Sequence, residues 1–276
     1  MTGERASGPR VIFVLATPES GGERLARALG CLDGTAAMPV ATNLFSQGIG
    51  SLLEVWTGRM RESLGEYADD GRFLADVRSL ADAPLAAWAL RSGCEHVVEY
   101  SPDHIAYASL IAAVYPDAGF VHLVRDGRQV AESLASPLRG WAPGVAARRW
   151  HDDQQAVAGI SDTVGVHTVR IEDVLSKPEY YVRGLAERLG IDADDEGVER
   201  ATGILGTSTP PPVRTGRVAT MVEVLGSDLL GALGYEVEPV SPARRVAAQL
   251  ELGQAGDVGW AVGSALKRAR AAVQDQ

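Results

Sequence analysis

Apolar residues gather in short runs over 11–16, 120–124 and 164–171, with Gly, Pro or charged positions close to their ends. Runs of about four to eight such residues, bounded this way, predict strands buried on both faces, as in a parallel sheet. The longer stretches between them, beginning with Leu25-Ala-Arg-Ala-Leu29, carry apolar residues at helical spacing. Right-handed crossovers would then bring the C-terminal ends of the strands to one edge of the sheet. The pattern predicts one large α/β domain over 1–240. Within it, 203–217 reads as a loop, because Thr207-Ser-Thr-Pro-Pro-Pro212 cannot continue a helix. Residues 241–276 read as a helical extension with Leu250, Leu252, Val258, Trp260, Val262 and Leu266 as apolar positions, then basic Lys267-Arg-Ala-Arg270. That extension packs on the domain or on a partner.

Two of the runs end in the same kind of turn. The first leads into Thr17-Pro-Glu-Ser-Gly-Gly-Glu-Arg24 and a helical pattern. Backbone N–H groups at such a helix start have no partner inside the helix and favour an anion, and Gly21 and Gly22 permit close approach. The second run continues as Arg125-Asp-Gly-Arg-Gln-Val-Ala-Glu-Ser133. A guanidinium at a strand end, followed by a hydroxyl on the next helix, supplies a bidentate cation and a neutral donor to one phosphate. Read without a ligand, Arg125 and Asp126 pair at a strand end and Ser133 sits on an ordinary helix face. No Gly-x-x-x-x-Gly-Lys-[Ser/Thr] occurs, which disfavours a nucleotide kinase.

In this arrangement the chain resembles the sulfotransferases that use 3′-phosphoadenosine 5′-phosphosulfate (PAPS). In that family an early strand leads into Pro-[Arg/Lys]-Ser-Gly-Thr-Thr, which holds the 5′-phosphosulfate. A later strand leads into Arg-Asp-x-Arg-x-x-x-x-Ser, which holds the 3′-phosphate. Here the two segments read Pro18-Glu-Ser-Gly-Gly-Glu23 and Arg125 to Ser133. Val98-Glu-Tyr-Ser-Pro-Asp-His104 is similar to the family's Glu-Lys-[Ser/Thr]-Pro-x-His, and Val169-Arg-Ile-Glu-Asp-Val174 and Leu233-Gly-Tyr235 also fit. The resemblance spans most of the chain. It implies a parallel-sheet, three-layer α/β fold like that of the P-loop NTPases and transfer of a sulfuryl group to a hydroxyl or amine of a small molecule. PAPS is the implied donor, and no metal is implied. The donor would be held by Ser20, Gly21, Gly22, Glu23, Arg24, Arg125 and Ser133. In relatives a loop near 203–217 closes over the nucleotide, which makes Arg214 and Arg217 candidates for the same phosphate.

Three departures bear on chemistry. Glu19 stands where the family has Arg or Lys, Tyr100 where it has Lys, and Ala41 where many relatives carry Glu. Sulfuryl transfer spreads charge over three oxygens while a phosphate leaves, so neighbouring cations lower the barrier. Glu19 opposes this unless it turns away or pairs with Arg24. Cations from elsewhere, with Arg24, Arg27, Arg214 and Arg217 as candidates, would restore the balance. Otherwise the chain is a catalytically degenerate subunit that binds nucleotide or a partner enzyme. An alcohol acceptor needs a general base, for which Glu99, His104 and Glu54 are candidates, with His104 best suited by its ordinary pKa. His104 beside Asp103 also reads as a helix-capping residue, and Glu99 as the structural partner of an arginine.

Composition bounds the rest. A chain of 276 residues, 46% hydrophobic, is long enough for a full core, and a net charge of −10 argues against nucleic acid as a partner. Arg148, Arg149 and Trp150 read either as site-lining or as a solvated face with one buried aromatic. Two cysteines give no disulfide framework and suit the cytoplasm. The N-terminus has no apolar signal-peptide core, and no run of about 18 apolar residues suggests a membrane span. The acceptor is then soluble or carrier-presented, and assembly with copies of the chain or with another subunit is left open.

Overall fold

The structure is a computed structural model that describes residues 8–50, 52, 70–207 and 216–253. Glu54, Arg214 and the tail from Val258 to Arg270 lie outside the described residues. Five parallel strands form one sheet: β1 (Arg10–Leu15), β2 (Thr35–Ala37), β3 (His96–Glu99), β4 (Gly119–Val124) and β5 (Val166–Arg170), in the order β2-β3-β1-β4-β5. β1 pairs with both β3 and β4, with Phe13 opposite Glu99 on one side and Phe120 on the other. Burial on both faces explains why the run over 11–16 is unbroken. Ile12 and Val14 enter the core on one face of the sheet, while Val11, Phe13 and Leu15 enter the core on the other.

Helices cover both faces, giving the parallel α/β fold that the apolar pattern predicts and the three layers that the resemblance implies. One face carries α1 (Gly22–Leu29), α6 (Ile171–Ser176), α7 (Pro178–Leu189) and α8 (Asp195–Leu205). The other carries α2 (Asp70–Ser92), α3 (Ala108–Val114) and α5 (Pro143–Ala158). A third cluster joins α5 to α4 (Gly127–Leu134) and α9 (Arg217–Ala232) around the fully buried Trp150. A helical segment over 242–253 adds Ala248 and Leu252 to that cluster, and Arg148 donates to the Leu252 carbonyl at 2.6 Å. Among the described residues no helix is long and apolar enough to cross a membrane.

The chain leaves β1 toward one edge of the sheet and, after β3, crosses back to the other. The direction of winding therefore reverses between β1 and β4, where open α/β sheets form a crevice beyond the strand ends. The turns after these two strands are the two segments picked out above.

Candidate active site

The turn after β4 is built from side chains that satisfy backbone. Asp126 caps α4, accepting from the Arg128 N–H at 2.9 Å. The buried Arg128 guanidinium returns to Asp126 at 2.7 Å and reaches Glu223 at 3.3 Å, so it is structural. Glu172 accepts from the Asp126 N–H and from the Tyr235 hydroxyl, each at 3.0 Å. Burial, together with Glu172, holds the Tyr235 hydroxyl well above its ordinary range. A Cβ on Gly127 would stand 2.4 Å from the Trp150 ring, so only glycine lets α4 seat against that indole. Trp150 Nε1 also donates to the Arg125 carbonyl at 3.3 Å. This turn fixes the position from which the Arg125 side chain leaves.

The turn after β1 is made differently. Glu19 has φ of 71° and Gly21 φ of 90°, and α1 begins with no side-chain cap. The first helical bond is from Leu25 N–H to the Gly21 carbonyl, so the N–H groups of Gly22, Glu23 and Arg24 precede it. Left-handed backbone at a non-glycine residue costs roughly 1 kcal/mol or more and tends to mark ligand loops. Tyr100 covers this start. A Cβ on Gly22 would lie 2.3 Å from its ring, and burial pushes the Tyr100 hydroxyl well up.

The two turns meet. Arg125 Nη1 donates to the Glu19 carbonyl at 2.7 Å, while its Nε and Nη2 donate to Gln129 Oε1 at 3.3 and 3.2 Å. Ser133 Oγ donates to Glu19 Oε2 at 2.9 Å, and Arg139 pairs with Glu19 Oε1 at 2.5 Å. Glu19 therefore pairs with Arg139, not with Arg24, whose Nε donates to the Ile204 carbonyl at 3.0 Å. Arg139 was not picked out in the sequence. It lies just beyond α4 before Gly140, whose φ is 72°, and neither residue belongs to a strand or helix pattern.

A cavity of about 880 Å³ opens between the turns. Its cationic walls are Arg24, Arg27, Arg125 and Arg139, set against Glu19, Glu23 and Glu172. Ser20, Gly21 and Gly22 also line it. Ser133 is not in the wall and meets the site through Glu19. Arg217 is not in the wall either. It begins α9 and donates to the Glu251 carboxylate at 2.7 Å. Ala41 is exposed.

Glu99 and His104 lie under this surface. They are 2% and 1% exposed, and Glu99 Oε2 sits 2.9 Å from His104 Nδ1. His104 Nε2 faces the Phe45 N–H at 3.2 Å, so it accepts there and Nδ1 carries the proton donated to Glu99. Burial raises the Glu99 carboxyl, but the electrostatic pull of His104, with hydrogen bonds from His104, Ser101 and Thr42, outweighs this and holds it below its ordinary value. These contacts tie β3 to the segment around Thr42 and Asn43, and neither Glu99 nor His104 lines the cavity.

A second buried network supports the turn after β1. Arg149, half in doubt as a surface residue by sequence, grips Asp153 at 2.8 Å, Asp103 at 2.9 Å and the Pro102 carbonyl at 3.2 Å. Burial pushes the Asp153 carboxyl up to about 6 against the pull of Arg149 and Thr17. Gln154 donates to Thr17 Oγ1 at 3.1 Å and accepts from His122 Nε2 at 2.9 Å, and burial lowers His122 to about 4.

The family of the chain follows from comparison with known proteins. Residues 12–195 match the model of the Sulfotransferase family, and the chain belongs to that family. Among solved structures it is similar to the sulfotransferase domain of the Synechococcus PCC 7002 olefin synthase, at 18% identity, covering 84% of this chain and 97% of that one, with a TM-score of 0.52. It is also similar to sulfotransferase STF9 from Mycobacterium avium, at 13% identity, covering 85% and 79% respectively, with a TM-score of 0.52. At these identities the structures speak for the fold. No curated protein matches the chain.

Proposed function

We propose that the chain transfers a sulfuryl group from PAPS to a hydroxyl or amine of a small molecule in the cytoplasm. The observation that carries this is the crevice itself, where the uncapped start of α1 and the Arg125 clamp face one cavity from adjacent strands. Four arginines in its wall suit a ligand with two separated anionic groups. The α1 N–H groups and Arg24 would hold the phosphosulfate end, and Arg125, Ser133 and Arg139 the 3′-phosphate. The donor supplies the activated sulfuryl group. The chain's part is to position it, neutralise the leaving phosphate and exclude water. The acceptor's proton must pass to a base. In this reading Glu99 and His104 shape the loop, and the exposed Glu23 at the cavity wall is the carboxylate placed to receive it.

The product nucleotide, 3′-phosphoadenosine 5′-phosphate, is expected to stabilise the protein. At a hundredfold excess over Kd the gain is about 2.7 kcal/mol, and Arg125→Ala abolishes it. No shift in the melting temperature of the native chain would overturn the donor assignment. A second reading, a subunit that binds without turning over, is favoured by the sequence position of Glu19, an acidic residue where the family carries Arg or Lys. Turnover by the isolated chain rules that reading out. Binding without turnover until a partner protein is added supports it.

A further inference from the structure

The anion seat between Ser133 and Arg139 is filled by the protein's own carboxylate. Glu19 Oε2 accepts from Ser133 Oγ at 2.9 Å, Glu19 Oε1 meets Arg139 at 2.5 Å, and the Glu19 carbonyl takes the nearest Arg125 donor at 2.7 Å. One residue thus engages three groups suited to a phosphate. The contact is built by the fold, because Glu19 and Ser133 are 114 residues apart and the side chain reaches them from a left-handed backbone position that favours glycine. The Glu19 side chain is 23% exposed, so it stands at the boundary between the seat and the cavity.

We propose that Glu19 sets the nucleotide specificity of this site by acting as a tethered competitor for the 3′-phosphate. The inference rests on the nucleotide reading above. A carboxylate and a phosphate cannot share one hydroxyl and one guanidinium, because like charges brought together there repel strongly in partly desolvated surroundings. A nucleotide with a 3′-phosphate enters only when Glu19 swings out. A nucleotide with a 3′-hydroxyl leaves Glu19 in place and can donate to it, as ribose hydroxyls do to carboxylates elsewhere. In the native chain the affinity for the 3′-phosphate is therefore lowered by the cost of moving Glu19 off the clamp.

The test is calorimetric titration of the full-length chain with two nucleotides, 3′-phosphoadenosine 5′-phosphate and adenosine 5′-monophosphate, which differ only by that phosphate. Glu19→Gln keeps an acceptor for Ser133 but removes the charge. Glu19→Gly removes the side chain and suits the backbone angle. Both variants are expected to raise the affinity ratio of the bisphosphate to the monophosphate by roughly tenfold or more, with the monophosphate itself changing much less. An unchanged ratio in variants that bind both nucleotides overturns the competitor and leaves the nucleotide reading standing. A ratio that falls overturns it too, because Glu19 would then be helping to hold the phosphate. Absence of binding by the native chain and both variants overturns the competitor and the nucleotide reading together.

Discussion

The turns after β1 and β4 are both strand–turn–helix junctions at the point where the sheet reverses its winding, yet they finish their helices in opposite ways. The α4 start is closed by protein, with Asp126 as its cap, Glu172 on the Asp126 N–H and Trp150 against Gly127. The α1 start is left without a side-chain cap, and its turn carries two left-handed residues. The closed turn can offer only side chains to a ligand, whereas the open one can offer backbone. A site assembled from one of each presents N–H groups and a helix dipole at one end and a guanidinium at the other.

The comparison fails if the buried supports of the two turns prove interchangeable. The largest effect is expected at Arg149, which links the segment after β3 to Asp153 beneath Thr17. Arg149→Met leaves buried Asp153 without its cation, and denaturant unfolding should show a loss of about 3–5 kcal/mol. His122 links the turns through Gln154. Its folded value lies near 4 against an ordinary 6.5, so the unfolded chain binds the proton that the folded chain refuses. Stability from this group is complete above pH 6.5 and falls with pH toward 4, by up to roughly 3 kcal/mol. His122→Asn should remove that slope, seen as a pH-dependent difference from the native chain. Gly127→Ala drives a methyl into Trp150, with an expected cost of about 1–3 kcal/mol confined to the closed turn. The smallest effect is at Ser133→Ala, about 1 kcal/mol, since Glu19 keeps Arg139. A loss at Ser133 equal to that at Arg149 would mean that the clamp is a structural strut.

The parts legible in the sequence were those with a local pattern. β1 and β4 appear as apolar runs because both faces of each are buried, and the Arg125 to Ser133 spacing follows from one strand end and two helical turns. The three residues of β2 are too few to carry a period. The pairing of Glu19 with Ser133 and Arg139 depends on β1 and β4 being neighbours, which no local spacing encodes. Glu99 and His104 look like accessible polar residues in a loop. Their burial comes from Thr42 and Phe45 closing over them, contacts that bridge about sixty positions. Gln129 had a signal, lying in the first turn of the helix that follows Arg125, which becomes useful only once Arg125 is known to need an acceptor.

The contact between Gly22 and Tyr100 bears on how such a chain can change over time. The family's loop has threonine where Gly22 stands and lysine where Tyr100 stands, so these look like two separate losses. The ring of Tyr100 occupies the space that any side chain at position 22 would begin to fill. They are therefore one exchange in two parts. The glycine must come first or together with the tyrosine, and a reversion at position 22 alone meets the ring. A lineage that made this exchange can retrace it only by giving up Tyr100 before any side chain returns at position 22.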